Sequence, residues 1–178
     1  YRHWPELSSL RNDAFKRVAS PPNIGPKTNG PLHVDLTWIV GILMAALNET
    51  PWGQVAPQVI GAAATDQEAQ DLINDWMKER SVNVKAVFAA AEARGELLPG
   101  APINNLVDIA IGVPYYRKLI AGLPLDHEWL DSHVDMLCRL AGVSGAGKTE
   151  DCPPPQCALV ESPRITIDTR RSRARTAE

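Results

Sequence analysis

Apolar positions along this chain recur at three- and four-residue steps and seldom alternate, so the pattern predicts helices and almost no strand. Residues 6–18 set Leu7, Leu10, Ala14 and Val18 at helical spacing behind Pro5, which suits a first helical turn. Residues 20–31 pack four prolines and two glycines into twelve positions and read as a loop. Over residues 32–48, Leu36, Ile39, Val40, Leu43, Met44 and Leu47 mark a helix that buries a broad face. A second helix is expected over about residues 53–64, bent or delayed by Pro57. Thr65 and Glu68 have capping-box spacing and predict the start of a long helix. That helix keeps phase through Leu72, Ile73, Trp76, Val84, Val87, Phe88 and Ala91 and stops at Gly95, with residues 81–83 as its weak point. Leu106, Ile109, Ala110, Val113, Leu119 and Ile120 define an apolar helix interrupted by Pro114 and closed by Gly122. Asp126 is the expected N-cap of a last helix that carries Trp129, Leu130, Val134, Leu137 and Leu140.

About six helices on short loops predict an all-α bundle over residues 32–143, preceded by a leading helix (1–19) and a loop (20–31). Residues 144–178, with a triple proline and then five arginines between Arg164 and Arg175, read as a disordered tail.

Composition changes this picture little. With 178 residues, 44% hydrophobic and 22% charged, and a net charge of -3, the chain resembles ordinary globular proteins and carries no bulk basic footprint for nucleic acid. No basic-then-apolar leader opens the chain, and no run of apolar residues approaches the ~18 of a membrane span. A soluble chain with no membrane association is therefore expected. Three cysteines, Cys138, Cys152 and Cys157, support neither a disulfide framework nor a zinc site and fit a reducing cytoplasm.

Candidate chemistry is sparse. Gly142 to Thr149 spells a phosphate-loop pattern, the basis for a nucleotide-binding alternative. Its context argues against that, since a helix precedes it where a buried strand is needed. His3, His33, His127 and His133 are scattered without partners that would make a metal site or a triad. No enzyme and no cofactor are expected. The aromatic residues are more informative: Trp38, Trp52, Trp76, Phe88, Tyr115 and Tyr116 fall on the four central helices and, with Met44, are the candidate lining of one ligand cavity. The same residues also fit a filled core, which leaves a helical interaction module without a ligand as a second alternative. Arg117 and Asp75 are the charges expected near the lining, so the expected effector is small and largely apolar, with aromatic compounds the first to try.

Tyr1-Arg2-His3-Trp4-Pro5 followed by a short amphipathic helix resembles the point in TetR-type (tetracycline-repressor family) regulators where the recognition helix of the helix-turn-helix ends and the connecting helix begins. Glu92-Ala93-Arg94-Gly95-Glu96-Leu97 and the later run DIAIGVPYYRKLIAGLPLD, residues 108–126, are similar to patterns of one large subgroup, although Val113 here separates Gly112 from Pro114. The resemblance covers about residues 1–143. It implies a ligand-responsive transcriptional regulator, a repressor by expectation, of which this chain is the effector-binding and dimerisation part, lacking most of the helix-turn-helix. It implies a homodimer formed through the last two helices, with Leu119, Ile120, Trp129, His133, Val134 and Leu137 at the interface. It implies DNA as a partner, with Tyr1, Arg2 and His3 left of the contacting helix, where such side chains position the protein on phosphate.

Overall fold

The computed structural model describes Leu10, residues 13–15 and residues 25–143. Leu10 and residues 13–15 are helical. Five α-helices follow: α1 (Leu32–Glu49), α2 (Trp52–Ala63), α3 (Gln67–Ala93), α4 (Ile103–Tyr115) and α5 (His127–Leu140), with a π-helical turn (Tyr116–Ile120) extending α4. No strand occurs among the described residues, and the expected all-α bundle is borne out. The expectations for the tail, residues 144–178, fall outside the described residues.

Helix α1 is the hub of the bundle and packs against α2, α3, α4 and α5. Its sequence requires this. Leu32, Leu36, Ile39, Val40, Leu43, Met44, Ala46 and Leu47 are all buried, a wider arc than one neighbour can cover. By length and composition alone α1 is apolar enough to cross a membrane, contrary to the expectation from runs of apolar residues, but it lies mostly buried within the bundle. Its single buried acid, Asp35, is part of a clamp with the end of α3. Arg94 faces Asp35 at 3.7 Å, pairs with Glu96 and donates to the Thr28 carbonyl at 2.7 Å. Glu96 in turn accepts the Leu32 amide at 2.7 Å, capping the start of α1, and Asp35 accepts the Gly30 amide at 3.2 Å. Burial pushes the Asp35 carboxyl up, only partly offset by the Gly30 amide and Arg94. Burial acts on Glu96 in the same sense, but Arg94 and the Leu32 amide hold its carboxyl below the ordinary value. The Ala93-Arg94-Gly95-Glu96 segment is thus a tertiary fastener between the end of α3, the 25–31 loop and the start of α1.

Three local expectations are corrected. Helix α2 begins at Trp52 and carries Pro57 inside it on an exposed face. Gly53 in its first turn sits directly on the Leu47 carbonyl, where any Cβ would collide with backbone at 2.0 Å. The N-cap of α3 is Asp66, not Thr65. The Asp66 side chain accepts the Ala69 amide at 3.1 Å, while the Thr65 hydroxyl turns back to the Ala62 carbonyl at 3.5 Å. Asp66 has the extended backbone of a cap residue, and its carboxylate also suits the positive end of the helix dipole. Residues 81–83 do not loosen α3, which runs unbroken for 27 residues, roughly 40 Å at 1.5 Å per residue. Val84, Val87, Phe88 and Ala91 just beyond them are buried and hold that half of the helix in place.

Pro114 lacks the N–H that would bond to the Ala110 carbonyl, and the helix leaves α geometry two residues later. Ala121 donates to Tyr116 at 2.9 Å, Leu123 to Arg117 at 2.9 Å, and the Arg117 side chain to Pro124 at 2.7 Å. Asn48, at the end of α1, donates to the Leu125 carbonyl and anchors the loop that follows. Asp126 then caps α5 as expected, accepting the Trp129 amide at 2.9 Å. Helix α5 ends in a Schellman motif, with Gly142 donating to Arg139 and Val143 to Cys138. Gly142, the first glycine of the phosphate-loop pattern, is therefore a helix C-terminal residue and follows no strand. The rest of that pattern lies outside the described residues.

A candidate effector site between α2, α3 and α4

Three of the predicted ligand residues converge. Trp52 is placed by the two-residue α1–α2 connection, its amide donating to the Thr50 hydroxyl at 3.2 Å, and is 3% exposed. Its ring lies 4.5 Å from that of Trp76 on α3, tilted by 50°. Trp76 meets Tyr115, at the end of α4, edge-on at 5.6 Å and 87°. The Trp52 indole nitrogen donates to the Tyr115 hydroxyl oxygen at 2.9 Å. Burial pushes the Tyr115 phenol up to about 12, against the opposing pull of Arg80 and the Trp52 hydrogen bond.

Arg80 completes the group. It follows Trp76 by four residues, so both side chains share one face of α3, and its guanidinium carbon stands 4.1 Å from the Trp76 ring centroid. Burial lowers its pKa, with Tyr115 and Glu79 acting the other way. Sequence reading had assigned the charges of the lining to Arg117 and Asp75. Arg117 instead bonds to Pro124 and faces the Trp129 ring at 5.5 Å, and Asp75 is exposed. The i, i+4 spacing of Trp76 and Arg80 was the available signal for the residue that was missed.

The other candidate lining residues take no part in these ring contacts and hydrogen bonds. Met44 and Phe88 are buried in the same hydrophobic core as Trp52, against which Trp76 and Tyr115 pack. Trp38 lies under Lys27 of the preceding loop, 3.6 Å from its ring centroid. Tyr116 is 58% exposed on the outer side of the π-helical turn.

The interface candidates divide in a similar way. Val134 and Leu137 are fully buried inside the subunit, because this face of α5 packs on α1. His133 is also buried, stacked on Trp129 at 4.7 Å and 15°, with its Nε2 left without a hydrogen-bond partner. Leu119 and Trp129 are partly buried, and Ile120 is 76% exposed. Tyr116, Ile120 and Leu123 are the large apolar side chains left exposed on the π-helical turn and the loop after it. Tyr1, Arg2 and His3 lie outside the described residues.

As chemistry, the Trp52, Trp76, Tyr115 and Arg80 group presents flat apolar faces, one cation and hydrogen-bond donors. Among the described residues no group of three or more His, Cys, Asp or Glu stands at metal-binding distance.

Residues 26–137 match the family model for the tetracyclin repressor-like C-terminal domain. A curated relative, the uncharacterized HTH-type transcriptional regulator YdeS of Bacillus subtilis (strain 168), is 26% identical over 153 residues, 84% of this chain and 74% of YdeS. The matched segment runs from the loop before α1 into α5 and takes in every element that builds the aromatic group, and on that match the chain belongs to the TetR family of transcriptional regulators.

Proposed function

We propose that this chain is the effector-sensing and self-associating part of a cytoplasmic TetR-family repressor that releases DNA when a small molecule binds between α2, α3 and α4. The observation that carries the reading is the Trp52–Trp76–Tyr115 group with Arg80 laid over it. A core built only for packing has no use for a cation, whereas ligand sites combine aromatic walls with a few placed polar groups. The chemistry is binding and not catalysis, since the group holds no nucleophile paired with a base. Helix α3 carries Trp76 and Arg80 along its length and ends at the Arg94–Glu96 clamp on the 25–31 loop. A ligand that prefers one placement of α3 would thereby bias the segment leading toward the DNA-reading end, which is coupling by differential affinity for two states.

Self-association uses the outer side of the π-helical turn and the loop before α5, where Tyr116, Ile120 and Leu123 expose apolar surface. The test is a thermal-shift screen of the chain against small aromatic metabolites. Anything that binds only the folded state raises the melting temperature by mass action. A saturable shift that Trp76→Ala abolishes supports the reading; a shift indifferent to Trp76, or none across the screen, counts against it.

A further inference from the structure

The hydrogen-bonding inventory of the aromatic group is one-sided. Arg80 Nε is buried without a partner, and so is Trp76 Nε1. The hydroxyl oxygen of Tyr115 accepts the Trp52 indole proton, which leaves its own proton free to give, with no acceptor among the described residues. Three donors thus gather around these three rings, with no acceptor within hydrogen-bond distance among the described residues. Among the described residues Arg80 also has no ion pair. The described ion pairs are His33 with Asp135, and Arg94 with Asp35 and Glu96, all elsewhere. Glu79 attracts Arg80 only from the exposed flank of the same helix.

Leaving buried donors unmet costs stability, more so for a charged group, so this arrangement is costly unless something fills it. Stacking on Trp76 answers the charge of Arg80 in part but gives its N–H groups no acceptor. The missing complement is rich in acceptors and negatively charged, and a planar guanidinium suits a carboxylate best because two parallel N–H bonds can form. The body that carries it is flat and apolar, to lie against Trp52, Trp76 and Tyr115.

We propose that the effector is an aromatic acid, its ring held by Trp52, Trp76 and Tyr115 and its carboxylate held by the Arg80 guanidinium and the Tyr115 hydroxyl. This rests on reading the group as the effector site, and it adds an anionic group to the largely apolar effector expected from the sequence. The anion is what makes Arg80 useful: it supplies the acceptors that the subunit lacks, and its affinity then depends on one side chain in the middle of α3.

The experiment titrates the whole chain with two probes of nearly the same shape, 2-naphthoate and 2-naphthamide, at neutral pH. Tryptophan fluorescence and melting temperature are read in wild type, Arg80→Met and Arg80→Lys. Wild type is expected to bind the carboxylate at least about ten-fold tighter than the amide. Arg80→Met is expected to erase that preference while still binding the amide, and Arg80→Lys to keep part of it. Equal wild-type affinity for the two probes overturns the anion proposal and leaves the effector-site reading standing. A preference that survives Arg80→Met overturns the role of Arg80. No response to either probe up to millimolar concentration overturns the proposal together with the effector-site reading. Should Arg80→Met fail to fold, the wild-type ratio and Arg80→Lys still decide the matter.

Discussion

The indole nitrogen of Trp52 and the hydroxyl of Tyr115, 63 positions apart in the chain, meet at 2.9 Å and tie the first turn of α2 to the last residue of α4. Removing the acceptor with Tyr115→Phe strands a buried indole N–H and is expected to cost about 1–3 kcal/mol of stability. Trp52→Phe loses the same bond together with ring contact. The double variant should therefore lose less than the sum of the two, which a denaturant double-mutant cycle measures.

Under the proposed mode of self-association, variants at Ile120 and Leu137 test association and folding separately. Ile120→Glu adds a charge to a side chain already in solvent. It should turn dimers into monomers in sedimentation equilibrium with little change in the folding of each subunit. Leu137→Ala opens a hole against α1 and should cost about 2–5 kcal/mol in a denaturant melt.

His133 makes stability depend on mild acid. Burial lowers its pKa to about 4, against the opposing effect of the Ala110 carbonyl. The unfolded chain therefore binds the proton first as pH falls from the ordinary imidazole value. The stability held by neutral His133 is complete above about pH 6.5 and lost progressively toward pH 4, on the order of 3 kcal/mol in all. The melting temperature of wild type should fall more steeply over that window than that of His133→Leu.

Gly142 closes α5 with φ +83, and a Cβ there would lie 2.1 Å from the Leu98 side chain. Gly142→Ala should cost about 1–3 kcal/mol through left-handed backbone strain and displacement of Leu98. If it melts like wild type, Leu98 moves aside freely and Gly142 has no packing role.

Much of the fold was legible because helices are written locally. The 3.6-residue spacing of Leu36, Ile39, Val40, Leu43 and Leu47, the glycine stop at Gly95 and the cap at Asp126 each act within a turn or two of chain, and each appears in the structure. The one-residue error at Thr65 arose because two adjacent residues both suit a cap, and the backbone chose the carboxylate. The site was legible only in part. Aromatic content singled out Trp52, Trp76 and Tyr115, whose rings meet, but equally Phe88, which is core packing, and Trp38, which lies against Lys27.

The sequence by itself determined that the chain is a helical bundle, where its helices run, and the motifs by which it resembles its family. Tertiary structure alone decided which apolar residues of α5 face inward on α1, that Arg80 lies over Trp76 without an acid to pair with, and that His133 is buried against Trp129. The reason is physical. Periodicity and capping depend on neighbours along the chain, whereas burial and the satisfaction of a donor depend on what another helix, dozens of residues away, brings to the same place.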